Sequence, residues 1–157
     1  MSIFTGFKNL VAARRLAAGE GSLVPDHQFD SGVVGNWLSA RGTTLLEIDA
    51  GRLLFTRQDS NDGVALALTL PAGDYDYSLT IGGPAGPSGA RVFWRVASNQ
   101  GLSSEVLNFE PGGSFAAEGT VFSGTFSLSV ESSWFGVILI WNGGDVAWID
   151  NLILLPS

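Results

Sequence analysis

Residues 64–81, VALALTLPAGDYDYSLTI, decide the fold. In the first half Val64, Leu66, Leu68 and Leu70 share one parity, and Ala65, Ala67 and Thr69 share the other. In the second half Tyr75, Tyr77, Leu79 and Ile81 alternate with Asp74, Asp76, Ser78 and Thr80. A period of two belongs to an extended chain whose side chains point to opposite faces in turn, so each run reads as a half-buried strand. Pro71-Ala72-Gly73 carries turn chemistry, with proline presetting φ and glycine tolerating unusual dihedrals. The expectation is a hairpin of adjacent antiparallel strands with Leu66, Leu68, Tyr77 and Leu79 in the core.

Working outward, the same period predicts strands over 43–49, 52–58, 90–97, 105–110, 114–122, 125–131, 134–141 and 146–155. Gly51, the Asp59–Gly63 run, Gly82 to Gly89, Gly112-Gly113, Gly124 and Asn142-Gly143-Gly144 punctuate them. About eight to ten short antiparallel strands spaced by turns predict an all-β jelly-roll β-sandwich over residues 22–157. The segment 82–89, GGPAGPSG, is the candidate long loop.

Residues 1–21 read as a separate N-terminal arm or a short amphipathic helix outside the main fold. Here Ile3, Phe7, Leu10 and Val11 recur at helical spacing, alanines are abundant, and Gly19 and Gly21 end the pattern. Read as a docking arm, it offers Ile3, Phe4, Phe7 and Leu10 with the basic Arg14 and Arg15. A frayed terminus and a short amphipathic helix capping the sandwich are the alternatives.

Composition supports a packed domain. Of 157 residues, 45% are hydrophobic and 15% charged, which is ample apolar surface to offset the entropy of ordering. Cysteine is absent, which rules out disulfides, thiolate metal sites and cysteine nucleophiles. The net charge of −7 lies in the body, because Lys8, Arg14 and Arg15 make the arm basic. An acidic body repels a phosphate backbone, so nucleic acid is not an expected partner. No apolar run is long enough for a transmembrane helix, and charges at Lys8, Arg14 and Arg15 interrupt any signal-peptide core. The expectation is therefore neither a membrane partner nor export by a signal peptide.

Three segments carry a resemblance. LVPDHQFDSGVVGNW, with Phe29 and Trp37, resembles the opening pattern of the carbohydrate-binding-module and galactose-binding-like jelly-roll superfamily. LPAGDYDYSLTI (70–81) is similar to its Leu-Pro-Ala-Gly-x-Tyr-x-Phe strand, and AWIDNLILL (147–155) to its closing strand, where Asp150-Asn151 interrupts an apolar run. The order is kept across residues 22–157. The resemblance implies a jelly roll and a protein of glycan-binding, enzyme-accessory or viral structural type. It also implies a structural calcium in some members. Apart from the resemblance, a charge inside such a run costs several kcal/mol if unpaired, so Asp150 is expected to accept backbone or Arg hydrogen bonds and pin a neighbouring loop, with ligand contact by Asp150 and Asn151 as the alternative.

No catalytic set emerges. The single histidine, His27, stands beside Pro25 and Asp26, and there is no Gly-x-Ser-x-Gly elbow. Asp74 and Asp76 share a strand face as solvated residues do, rather than as a glycosidase pair. GGPAGPSG lacks the Lys-Ser/Thr of a phosphate loop. Asp59-Ser60-Asn61-Asp62-Gly63 has calcium-loop composition but the wrong spacing for an EF-hand, and reads as a turn. No enzyme, cofactor or metal is expected.

The binding candidates are aromatic. In RVFWRV (91–96), placing Val92, Trp94 and Val96 in the core leaves Phe93 flanked by Arg91 and Arg95 on the other face. The alternative is that both faces are covered. Trp141 and Asn142, at a candidate loop tip, join stacking to hydrogen bonding, although Trp141 also suits the end of a core strand. The leading functional reading is a non-enzymatic structural component of a bacteriophage virion, assembled in the host cytoplasm: a capsid decoration, head-fibre or tail-associated protein. Its motives are a module starting at Met1 without an export signal and an apolar-basic arm. Its partners would be other virion proteins and copies of itself, as a trimer, since 134–141 is apolar on both parities; a glycan is a further partner. The alternative is a carbohydrate-binding module for a polysaccharide or cell-surface glycan.

Overall fold

The computed structural model describes residues 19–42, 44–56, 61–83, 91–110, 115–140 and 146–157, without the side chains of 61, 62, 91 and 138–140. Its strands are β1 (Trp37–Ser39), β2 (Leu45–Asp49), β3 (Arg52–Thr56), β4 (Asn61–Leu70), β5 (Gly73–Gly82), β6 (Arg91–Ala97), β7 (Glu105–Phe109), β8 (Thr120–Leu128), β9 (Ser132–Ile140) and β10 (Val146–Pro156). They form two five-stranded antiparallel sheets, ordered β1-β4-β9-β6-β7 and β2-β3-β10-β5-β8. This is the jelly-roll sandwich that the alternation predicts, and the described residues contain no helix. The arm residues Ile3, Phe4, Phe7, Leu10, Arg14 and Arg15 lie outside the described residues.

The expected hairpin is not formed. β4 pairs with β1 and β9, whereas β5 pairs with β10 and β8, so Pro71-Ala72 carries the chain across from one sheet to the other. The Tyr75 hydroxyl donates to the Pro71 carbonyl at 2.7 Å and braces this arch. A hairpin and an arch bury the same parity of both strands, so alternation does not distinguish them. Leu66, Tyr77 and Leu79 are buried as expected; Leu68 is only half-buried, near the register shift between Ala67 and Leu70.

A second correction concerns Gly124. The strands expected at 114–122 and 125–131 are replaced by one, β8, running straight through this glycine. A Cβ there would lie 3.0 Å from the Tyr77 hydroxyl, so Gly124 makes room for a ring on the neighbouring strand and does not turn the chain.

Between the sheets Trp94 is fully buried, with the rings of Phe135, Tyr77, Phe109 and Phe126 at 4.6, 4.7, 6.2 and 6.2 Å. Burying each such side chain contributes roughly 1.5–3 kcal/mol. Phe29 and Trp37, the residues that carry the opening resemblance, belong to the same core.

Candidate functional site

Because Phe135 and Val137 of β9 point into the sandwich, Trp134 and Gly136 point out of it. Cross-strand register then aligns Leu38, Ala65, Gly136, Arg95 and Asn108 in one row across the outer face of the first sheet. Ala67, Trp134 and Ala97 form the next row.

The β6–β7 loop, residues 98–104, straps this face. Asn99 organises it: its side-chain oxygen accepts from the Ser103 and Ser104 amides, both at 3.1 Å, and its amide donates to Ser103 Oγ at 2.9 Å. The Gln100 side chain reaches β1 and donates to the Ser39 carbonyl at 3.1 Å. Between these anchors Leu102 turns down onto the sheet and is completely buried with Ala40, Ala65 and Ala97, against the half-buried rings of Phe93 and Trp134. Gly136 makes the space, since a Cβ there would meet the Val64 carbonyl and lie 2.5 Å from Leu102 Cδ1.

Arg95 holds the strap from the side. Its Nη1 donates to the Leu102 carbonyl at 3.3 Å and pairs with Glu105 at 3.1 Å; Nε donates to Asn108 Oδ1 at 3.3 Å. Its guanidinium carbon lies 5.8 Å from the Phe93 ring centre. Burial pulls this guanidinium below its ordinary pKa, Glu105 opposes that pull, and Arg41 adds to it.

The predicted recognition residues are therefore partly rearranged. Val92, Trp94 and Val96 are core as expected. Phe93 is half-buried rather than exposed, and Arg95 is 8% exposed because the strap lies against both. Arg91 is placed by its backbone opposite Ile140, and its side chain lies outside the described residues. Trp141 and Asn142 lie outside them too. Sequence reasoning missed Trp134, whose signal was its outward parity beside Gly136. It also missed Trp148, half-buried on the outer face of the second sheet beneath Arg52, whose guanidinium carbon is 4.1 Å from the ring centre. The doubled apolarity of 134–141 is covered at Gly136 by the chain's own loop.

A polar cleft of about 220 Å³ lies between the β2–β3 turn and the middle of β10, lined by Gln28, Asp30, Ala50, Gly51, Asp150 and Asn151. It exists because β10 bulges after Asp150: Asn151 takes φ +48°, and pairing with β5 resumes at Ile153. The bulge pins the 22–28 segment as expected, but through other atoms. Leu152 N donates to the His27 carbonyl at 3.0 Å, Leu23 N to the Leu154 carbonyl at 2.8 Å, and Gln28 to Asn151 Oδ1 at 3.3 Å. Asp150 accepts only from its neighbour Asn151 N, at 2.7 Å, among the described hydrogen bonds. Burial raises its carboxyl pKa; the Asn151 hydrogen bond and then Arg52 lower it, Asp30 raises it, and His27 lowers it.

Two carboxylates and amide oxygens around one cleft are hard donors that fit calcium. Asp30 and Asp150 would hold the ion, which would neutralise their mutual repulsion and tie the Phe29–Asp30 turn to β10. Of the loop first weighed for calcium, Asp59 and Ser60 lie outside the described residues, and Asn61 to Gly63 belong to β4. No group of three or more His, Cys, Asp and Glu able to hold a metal occurs among the described residues.

No protein-family model and no curated sequence matches the chain. Solved structures do. The CBM22-1 xylan-binding domain of a Paenibacillus barcinonensis protein superposes with a TM-score of 0.63 at 14% identity, over 83% of this chain and 91% of that one. TmCBM61 in complex with β-1,4-galactotriose gives 0.59 at 16% identity, over 87% and 99%. The enzymatically active domain of tailspike protein 4 of bacteriophage CBA120 gives 0.59 at 8% identity, over 87% of this chain and 21% of that one. The chain shares the jelly-roll β-sandwich fold of these structures.

Proposed function

We propose that the chain is a non-enzymatic glycan-binding β-sandwich that uses the outer face of its first sheet. One observation carries the reading: Phe93 and Trp134 flank a floor of alanine and glycine, with Arg95, Glu105 and Asn108 beside them. Aromatic faces take the C–H face of a sugar, and the polar groups supply donors and acceptors for hydroxyls. The likeness to domains that bind xylan and galactotriose supports the same class. Calorimetric titration with xylo- and β-1,4-galacto-oligosaccharides tests it. Saturable binding is expected, weakened by up to about tenfold in Trp134→Ala or Phe93→Ala, since one stacking contact is worth roughly 0.5–1.5 kcal/mol. Binding to no glycan, or binding unchanged in both folded variants, would overturn the assignment.

A second reading sets this module in a bacteriophage virion as a structural or adhesive part, and the likeness to a tailspike domain favours it. Its partners there are other virion proteins and further copies of the chain. Mass spectrometry of purified particles tests the placement, and absence from particles of the encoding phage rejects it.

A further inference from the structure

Leu102 is a fully buried leucine on a surface loop, and its backbone sits in the left-handed region at φ +51°. That region crowds any Cβ, and a bulky residue stays there only when its surroundings hold it. The surroundings here are a socket. Gly136 is the floor, Ala40, Ala65 and Ala97 narrow it, and Phe93 and Trp134 stand beside it. Ala65, Ala97 and Gly136 are small residues at strand positions, and a Cβ on Gly136 would meet both the Val64 carbonyl and the leucine. The socket is shaped for something inserted from above.

Resting on the glycan-binding reading, we infer that Leu102 is a resident plug: in the free protein its side chain fills the slot that receives one pyranose ring of the glycan, and binding requires the 98–104 strap to lift. The apolar C–H face of a pyranose replaces the leucine between Phe93 and Trp134. The Arg95 donor now held by the Leu102 carbonyl is released to a sugar hydroxyl, beside the Asn108 amide and the Glu105 carboxylate. The strap is built to lift as a unit. Its internal order comes from Asn99, while its described hydrogen bonds across the sheet are few: Gln100 to Ser39 and Arg95 to Leu102. A plugged slot also sets affinity, because the apparent dissociation constant rises as the open fraction falls.

The test compares the full-length wild type with Leu102→Gly, which removes the plug and suits the left-handed backbone. Both are titrated with xylo- and β-1,4-galacto-oligosaccharides and checked for folding by circular dichroism and thermal melting. The folded variant should bind at least about tenfold tighter, and adding Trp134→Ala should cancel the gain. Hydrogen exchange on the wild type gives an independent reading that survives a failure of Leu102→Gly to fold: saturating oligosaccharide should speed exchange across residues 98–104. Equal or weaker binding by the folded variant, or slower exchange in the strap, overturns the plug. If the wild type binds while Leu102→Gly and Trp134→Ala change nothing, the plug falls and a glycan site elsewhere stands. If neither protein binds any oligosaccharide, both readings fall together.

Discussion

Leu66 and Leu68 sit two residues apart on one strand and share a parity, yet their surroundings differ. Leu66 is 1% exposed between the sheets, while Leu68 is half-buried where the β4–β9 register shifts. Leu66→Ala should therefore cost about 2–5 kcal/mol in urea unfolding, and Leu68→Ala clearly less; equal losses would contradict the register. Parity was legible in the sequence, and depth was not, because depth depends on the opposing sheet. The same limit governed Phe93: its outward direction followed from alternation, but the leucine lying on it comes from a loop with no period to read. Phe29, Trp37 and Tyr77 were conspicuous because they are core, so they carry the fold and say little about the ligand.

At the scale of elements, the β10 bulge joins three segments around the polar cleft: the Phe29–Asp30 turn, the Ala50-Gly51 turn and β10 itself. Calcium should raise the melting temperature of the wild type, and chelation should reverse the gain. Asp150→Asn keeps an acceptor for the Asn151 amide but removes a charge, so it should abolish the calcium response. In chelator the sign with pH is fixed by the raised pKa. The unfolded chain loses this proton more readily, so the wild type loses stability as pH rises from about 4 through the raised value. Asp150→Asn should therefore be the more stable protein at pH 7, with the advantage gone once both states are protonated. A wild type indifferent to calcium would reject the cation, and a variant no more stable at pH 7 would reject the desolvated carboxylate. The sequence showed Asp150 as an oddity inside an apolar run. Its partner Asp30 lies 120 positions earlier and was invisible without the fold. Turn residues misled in both directions: Pro71 to Gly73 marked a real change of direction but of the wrong kind, and Gly124 marked none.

For the molecule as a whole, the described core begins at Val24 and is shared between two sheets, with neighbouring strands of the chain often assigned to opposite layers. Deleting residues 1–18 should leave the cooperative melting of the body within a few degrees of full length, while abolishing assembly if the arm is a docking element. Loss of folding in the truncated chain would place the arm in the core instead. Sedimentation of the two forms reports the oligomer at the same time. The arm's basic, apolar character was plain from composition, whereas its partner is a property of another surface.

The hydrogen bond between Leu23 and Leu154 brings the beginning and the end of the sandwich side by side. A body whose two ends meet behaves like a bead with both threads leaving from one hole. It can be spliced into a turn of a larger host without prising that host apart, or have its ends fused by a short glycine-serine bridge and be cut open at another turn. Such portability lets one sandwich travel between unrelated chains, and the lone requirement on each new host is two attachment points a few residues apart.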